Sequence, residues 1–210
     1  MTNSHDDTPA ASRRGRRPGS SGTREAILDA ARRSFAAKGL DRTTVRGVAR
    51  DAGVDPALIT HYFGGKAALF MEAMRLPFTP EEVIPGIIGG DRAQVGRRLA
   101  AFALGQWENP ASRERLIGII RAACSDPAAA ALLRDLIERD LFAPLARALD
   151  VPDAEVRAGL CASQIVGLAV TRHILGVPAL ATADPAHVAE WIAPTLQRYL
   201  IGDLPFTEAT

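Results

Sequence analysis

Apolar residues along this chain recur mostly at the helical period, and glycine and proline separate the helices they predict. Ile27, Leu28, Ala31 and Phe35 form a first inner stripe, with Ser21 or Thr23 as its cap, Glu25 in its first turn and Gly39 at its end. Val45, Val48, Ala49 and Ala52 then fall at i, i+3, i+4 and i+7. Gly53 follows at once, where a chain leaving a helix needs a left-handed residue that glycine adopts cheaply. Asp55 offers an N-cap and Pro56 a first helical position with no N–H to lose. Ile59, Tyr62 and Phe63 can bury the inner face of this next helix, leaving Pro56, Ala57, Leu58, Thr60 and His61 as candidates for the outward or partly outward face. Lys66 opens a further helix with Leu69, Phe70 and Met74 inward. Two short helices, a glycine turn and a small, polar outer face on the second describe a helix-turn-helix, and hence DNA binding.

Prolines and glycines over 76–90 break any long helix and mark a domain boundary, with one short helix expected over 81–88. Beyond it, helical patterns cover 92–108, 113–124, 127–149, 153–175 and 185–200. Asp126-Pro127 and Asp184-Pro185 each set a cap before a first-turn proline. Alternation of Val, Ile and Thr is rare. The expected fold is all-α, with about nine or ten helices: a basic arm over 1–22, a three-helix DNA-binding domain over 23–75 and a larger helical domain over 76–210.

Composition changes this picture little. An apolar share of 47% with 23% charged residues is ordinary for a globular protein. Cys124 and Cys161 each sit in an apolar helical pattern, so buried reduced thiols are expected rather than a disulfide. No apolar run approaches the roughly 18 residues of a membrane span, and the N-terminus lacks a hydrophobic signal region; the expectation is a cytoplasmic protein without a membrane partner. Charge is more telling. Through Leu76 there are 13 Lys and Arg against 8 Asp and Glu, and beyond it 12 against 16, so a net +1 hides a basic DNA-binding end. Arg13, Arg14, Arg16 and Arg17 in the polar leader either track phosphates or enter a minor groove, or form a solvated tail.

Over about 23–74 the sequence resembles the TetR/AcrR transcriptional regulators. Carrying the likeness are Phe35 and Gly39, Thr43-Thr44-Val45, Ala52-Gly53-Val54, His61-Tyr62-Phe63 and Lys66. Asp55 and Thr60 depart from the Ser and Tyr frequent in that family, which keeps the cap chemistry and makes the base-reading surface individual. The DNA-contact candidates are Arg24, Thr43, Thr44, Arg46, Asp55, Pro56, Ala57, Thr60, His61, Tyr62 and Lys66. Free N–H groups at the helix start by Thr43 and Thr44 suit a phosphate. The resemblance implies a backbone contact for Thr44 and phosphate contacts for His61 and Tyr62, while Tyr62 also reads as a core aromatic. Ala57 and Thr60 are small enough to approach base edges. Lys66 adds an ammonium to a helix N-terminus and is the leading phosphate candidate.

The resemblance further implies a homodimer on a palindromic operator, released by a small effector held in a C-terminal ligand-binding and dimerisation domain. Repression is the family's common mode. Leu160, Ile165 and Leu168 in one late helix and Val188, Ile192 and Leu196 in the other are the interface candidates, with burial inside the monomer as the alternative. Phe102, Trp107, Cys124, Phe142, Gln164 and His173 are the effector-site candidates, and their apolar setting suggests an apolar or aromatic effector. The sequence offers no cofactor motif, no metal-ligand spacing and no nucleophile with a base, so the rival readings, an enzyme or an adaptor whose basic half binds an acidic protein, have less to stand on.

Overall fold

The computed structural model describes residues 20–76 and 78–203, and every regular element among them is helical, as expected. The arginines of the leader, and the arm expected there, lie outside the described residues. Four helices come first: α1 (Ser20–Arg42), α2 (Val45–Ala52), α3 (Pro56–Phe63) and α4 (Lys66–Ala73). The expected cap chemistry is present. The Thr44 hydroxyl accepts the Gly47 N–H and the Asp55 carboxylate accepts the Ala57 N–H, contacts worth about 1 kcal/mol each. Gly53 at φ 69° and Gly64 at φ 78° end α2 and α3 in the left-handed region. Gly39, at φ 75°, interrupts α1 where the sequence predicts its end, and the last residues to Arg42 form a separate turn.

These four helices close over Ile27, Phe35, Val48, Ile59, Leu69 and Phe70, all nearly free of solvent contact. Phe35 and Phe70 meet edge to face at 5.0 Å. Burial of such side chains stabilises by about 1.5–3 kcal/mol each.

The rest of the chain comprises α5 (Pro80–Ile88), a 3₁₀ turn (Arg92–Gln94), α6 (Val95–Glu108), α7 (Pro110–Ala123), α8 (Pro127–Asp135), α9 (Phe142–Ala148), α10 (Ala154–Ala169), α11 (Pro178–Ala181) and α12 (Pro185–Ile201). Two predicted helices are not continuous. The 127–149 span is broken by a π-helical turn (Leu136–Asp140) and by Leu141 at φ −145°, ψ −65°. The 153–175 span ends in a π-helical turn (Val170–Ile174), and α11 was not foreseen.

A second core gathers Leu99, Leu145, Cys161 and Leu196 from α6, α9, α10 and α12. Gly96 lets α6 lie directly on α12: a Cβ there would stand 2.4 Å from the Gln197 N and 2.6 Å from the Ala193 O. Buried Arg157 donates to the carbonyls of Pro152 at 2.8 Å and of Tyr199 and Gly202 at 2.9 Å, capping the end of α12.

Helix α7 serves two clusters: its Leu116 and Ile120 meet Trp107 and Ala169 in a small third one. Its Ile119 and Ala122, with Ala129 of α8, pack into the core of the first four helices, although all three lie past the boundary expected at 75/76. Gly118 presses α7 against Met74, and Arg121 donates to the Ala36 carbonyl at 2.5 Å.

Candidate nucleic-acid interface and ligand cavity

The outer face of α3 presents Pro56, Ala57, Thr60 and His61, all exposed. Thr44 and Arg46 at the start of α2 are exposed beside it. Tyr62 is half-buried with its ring 5.2 Å from that of His61, combining the core and surface readings. Leu58, expected on the outer face, is half-buried against the core. Asp55 is exposed, with one oxygen engaged by the Ala57 N–H at 2.7 Å.

Three other candidates are placed differently from expectation. Thr43 is 1% exposed: its hydroxyl donates to the Gly39 carbonyl at 2.8 Å and lies 3.3 Å from the Ser34 hydroxyl, so it faces inward, while Thr44 stays exposed. Lys66 does open α4, but its ammonium donates to the Leu40 carbonyl at 3.0 Å and the Asp41 carbonyl at 3.5 Å. With three donors, it keeps one N–H for a phosphate and otherwise ties α4 to the end of α1. Arg24 pairs with Glu72 at 2.6 Å and stacks over Phe63 at 5.2 Å, so a phosphate has to compete with a carboxylate for it.

Between α6, α7 and α10 lies an apolar cavity of about 50 Å³. Phe78, Phe102, Trp107 and Phe142 supply its aromatic wall, and Ile119 and Ile120 bring α7 to it. Phe78 meets Phe102 edge to face at 5.2 Å. The effector-site candidates divide. Phe102, Trp107 and Phe142 line the cavity, whereas Gln164 and Cys124 do not. Cys124 is also exposed, contrary to the buried thiol expected, and sits with Lys38, Arg42 and Arg121 in a cleft beside the end of α1. Cys161 is the buried thiol, and burial pushes it up to about 12.

His173 stands behind the wall, its ring stacked on Trp107 at 5.6 Å beside a separate small void. Buried Arg172 next to it pairs with Glu108 at 3.1 Å and donates to the Leu180 carbonyl. The His173 Nε2 is buried without a hydrogen-bond partner. Desolvation lowers its pKa, with Glu108 pulling the other way and Arg172 and Arg113 adding to the fall. Phe78 and Gln106 were missed as cavity residues; a lone glutamine inside the apolar run of α6 was the available signal.

The interface candidates also divide. Ile165, Val188 and Leu196 are buried in the protomer's own core, so they have almost no surface to offer a second copy. Leu160, Leu168 and Ile192 are half-buried. Past α4, the large apolar residues left in the open are instead Trp191 and Leu175, each 68% exposed, with Val156 and Val177. Among the described residues no group of His, Cys, Asp or Glu could hold a metal ion, and no helix is long and apolar enough to cross a membrane.

Comparison with known proteins places this arrangement. Residues 27–73 match the model of bacterial regulatory proteins of the tetR family, and residues 93–200 that of the tetracyclin repressor-like C-terminal domain. The HTH-type transcriptional regulator BetI of Brucella anthropi is 37% identical over 97 residues, which are 46% of this chain and 41% of that protein, so the match spans less than half of the relative's length. A TetR-family regulator of known structure from Streptomyces coelicolor A3 is 36% identical, with a TM-score of 0.60 over 89% of this chain and 98% of its own. NalD, the secondary repressor of the MexAB-OprM multidrug efflux pump in Pseudomonas aeruginosa, shares the fold at 24% identity, with a TM-score of 0.62 over 88% of this chain and 98% of its own. The chain belongs to the TetR family of DNA-binding, helix-turn-helix transcriptional regulators.

Proposed function

We propose that the protein is a repressor that binds a palindromic operator as a homodimer and is released by a small apolar or aromatic effector in the α6–α7–α10 cavity. On this reading Ala57, Thr60 and His61 address the groove, while Thr44, Arg46, Tyr62 and the remaining N–H of Lys66 address phosphates. Pro56 and Asp55 set the angle at which α3 enters. The 23–75 and 76–210 segments act as the DNA-binding and effector-binding parts, with α7 shared between them, and an operator partner puts the work in the cytoplasm.

The observation that carries the reading is Ile119. One side chain both lines the cavity and packs in the core that the first four helices share, on the α1 side along which α7 lies. A ligand that displaces α7 therefore changes the seat of the recognition helix, and it weakens operator binding by as much as it prefers the displaced state. By reciprocity the operator weakens the ligand equally. Exposed Trp191, Leu175 and Val177, with half-buried Leu160, Leu168 and Ile192, supply the apolar surface for a two-fold partner, and two-fold symmetry matches paired half-sites.

Selection from a pool of random duplexes, followed by the mass of the complex in solution, tests this. An enriched palindrome carrying an even number of chains is expected. Enrichment of no sequence over bulk duplex refutes the operator, and a single chain on the enriched site refutes the dimer.

A further inference from the structure

We propose that the ligand of this cavity is an uncharged molecule with an aromatic or aliphatic body and one hydrogen-bond acceptor, and that Gln106 recognises the acceptor. The inference rests on the cavity being the effector site.

Gln106 precedes Trp107 on α6 and lines the cavity. Its carbonyl end is held: Oε1 accepts the Ser112 hydroxyl at 3.0 Å. Ser112 is itself fixed, being 2% exposed with its backbone N–H donated to Asn109 Oδ1 at 3.1 Å. Holding one end of a planar amide orients the other. The Gln106 amide nitrogen carries two N–H donors, and neither has a protein partner among the described residues. The nitrogen is not among the buried unpartnered groups, so water reaches it, and an occupant that brings an acceptor replaces that water with a bond of its own.

The rest of the wall limits the occupant's charge. Among the described residues no Lys, Arg, His, Asp or Glu lines the cavity, and the rings of Phe78, Phe102 and Phe142 line it with Trp107. An ion entering here exchanges water for carbon without a counter-charge, which is prohibitive against a neutral molecule of similar shape. Arg172, on the separate void behind Trp107, is paired with partly exposed Glu108. A ketone, ester, ether or phenol oxygen on a hydrocarbon body meets both conditions.

The test uses the full-length protein and displacement of phenylnaphthylamine, a neutral apolar dye, by two compounds of matched size, benzylacetone and butylbenzene. Because the ketone is better solvated in water, the quantity read is the ratio of their affinities in wild type against Gln106→Leu. Loss of one neutral hydrogen bond should cut that ratio about threefold to tenfold, through the ketone alone. Ser112→Ala, which frees the amide but keeps it, should give a smaller cut in the same direction and serves if Gln106→Leu does not fold. A ratio unchanged within about twofold in the folded variants overturns the role of Gln106. Benzyltrimethylammonium or phenylbutyrate displacing the dye as well as benzylacetone overturns the uncharged class. In both of those cases the effector cavity itself stands. If the dye and all four compounds fail to bind, the cavity reading falls and takes this inference with it.

Discussion

Two glycines on α6 make one substitution act with opposite signs. Gly105 is exposed, and a Cβ there meets nothing within 4 Å. Gly105→Ala therefore keeps only the gain in helix propensity, about 0.8–1 kcal/mol. At Gly96 the same Cβ falls 2.4 Å from the Gln197 N and 2.6 Å from the Ala193 O, both backbone atoms of α12 that cannot rotate away. Relief requires the helices to part, which costs about 3 kcal/mol at the upper end of ordinary overpacking. Parting also strains the bond from the Gly96 N–H to Gln197 Oε1, now 2.6 Å, worth about 1 kcal/mol. The propensity gain offsets about 1 kcal/mol, leaving a loss of about 3 kcal/mol. In a chain of this size that lowers Tm by about 6–12 °C, while Gly105→Ala raises it by about 2–4 °C. Thermal unfolding followed by circular dichroism, at one fixed protein concentration, reads both values. Because α6 carries Phe102, Gln106 and Trp107, Gly96→Ala should also loosen dye binding in the cavity. Shifts of the same sign in the two variants, or a Gly96→Ala change below about 2 °C, refute the claim that backbone contact at Gly96 seats α6.

Trp191→Glu puts a charge on the most open apolar patch of α12, and sedimentation equilibrium should show a dimer shifted to monomer; an unchanged mass removes Trp191 from the interface. In the native protein a thiol reagent should label Cys124 quickly and Cys161 only after unfolding, because Cys161 is buried and its thiol is held up to about 12. Equal native reactivity contradicts that burial. His173 has a lowered pKa in the fold, so the unfolded chain takes up its proton first as pH falls. Its contribution is present above the ordinary imidazole value near 6.5 and is lost below it, so Tm should fall between about pH 7 and 5, and His173→Phe should flatten that fall. An identical slope in both proteins assigns the effect elsewhere.

Local chemistry made the helix-turn-helix legible. Gly53, the Asp55–Pro56 start and the Gly39 break are each decided within a few residues, and each stands as read. What the pattern left open depended on partners distant in sequence. Thr43 and Thr44 are adjacent hydroxyls, and only the position of Ser34 and the Gly39 carbonyl sends one inward. Lys66 reads as a free ammonium until α1 brings the Leu40 carbonyl to it. Helix α7 shows an apolar face, but periodicity does not say which core receives it, and it serves two. The late helices show the same gap: Val188 is an interface candidate by sequence and Trp191 is not, yet packing in the second core buries the first and leaves the second open. A cavity is the space that packing leaves, so three of its six sequence candidates line it and its polar member, Gln106, does not come from the pattern of apolar positions.

The central claim, that α3 reads bases while its neighbours hold phosphates, is tested by comparing Thr60→Val and Arg46→Ala with wild type across the selected operator and its single-base variants, at two salt concentrations. The account predicts that Arg46→Ala weakens every duplex about equally and lowers the salt slope by about one, whereas Thr60→Val changes which base is preferred at one position of each half-site and leaves the slope alone. If Thr60→Val leaves every preference intact, or Arg46→Ala weakens only particular sequences, the assignment of reading to the face of α3 and of holding to the start of α2 is wrong.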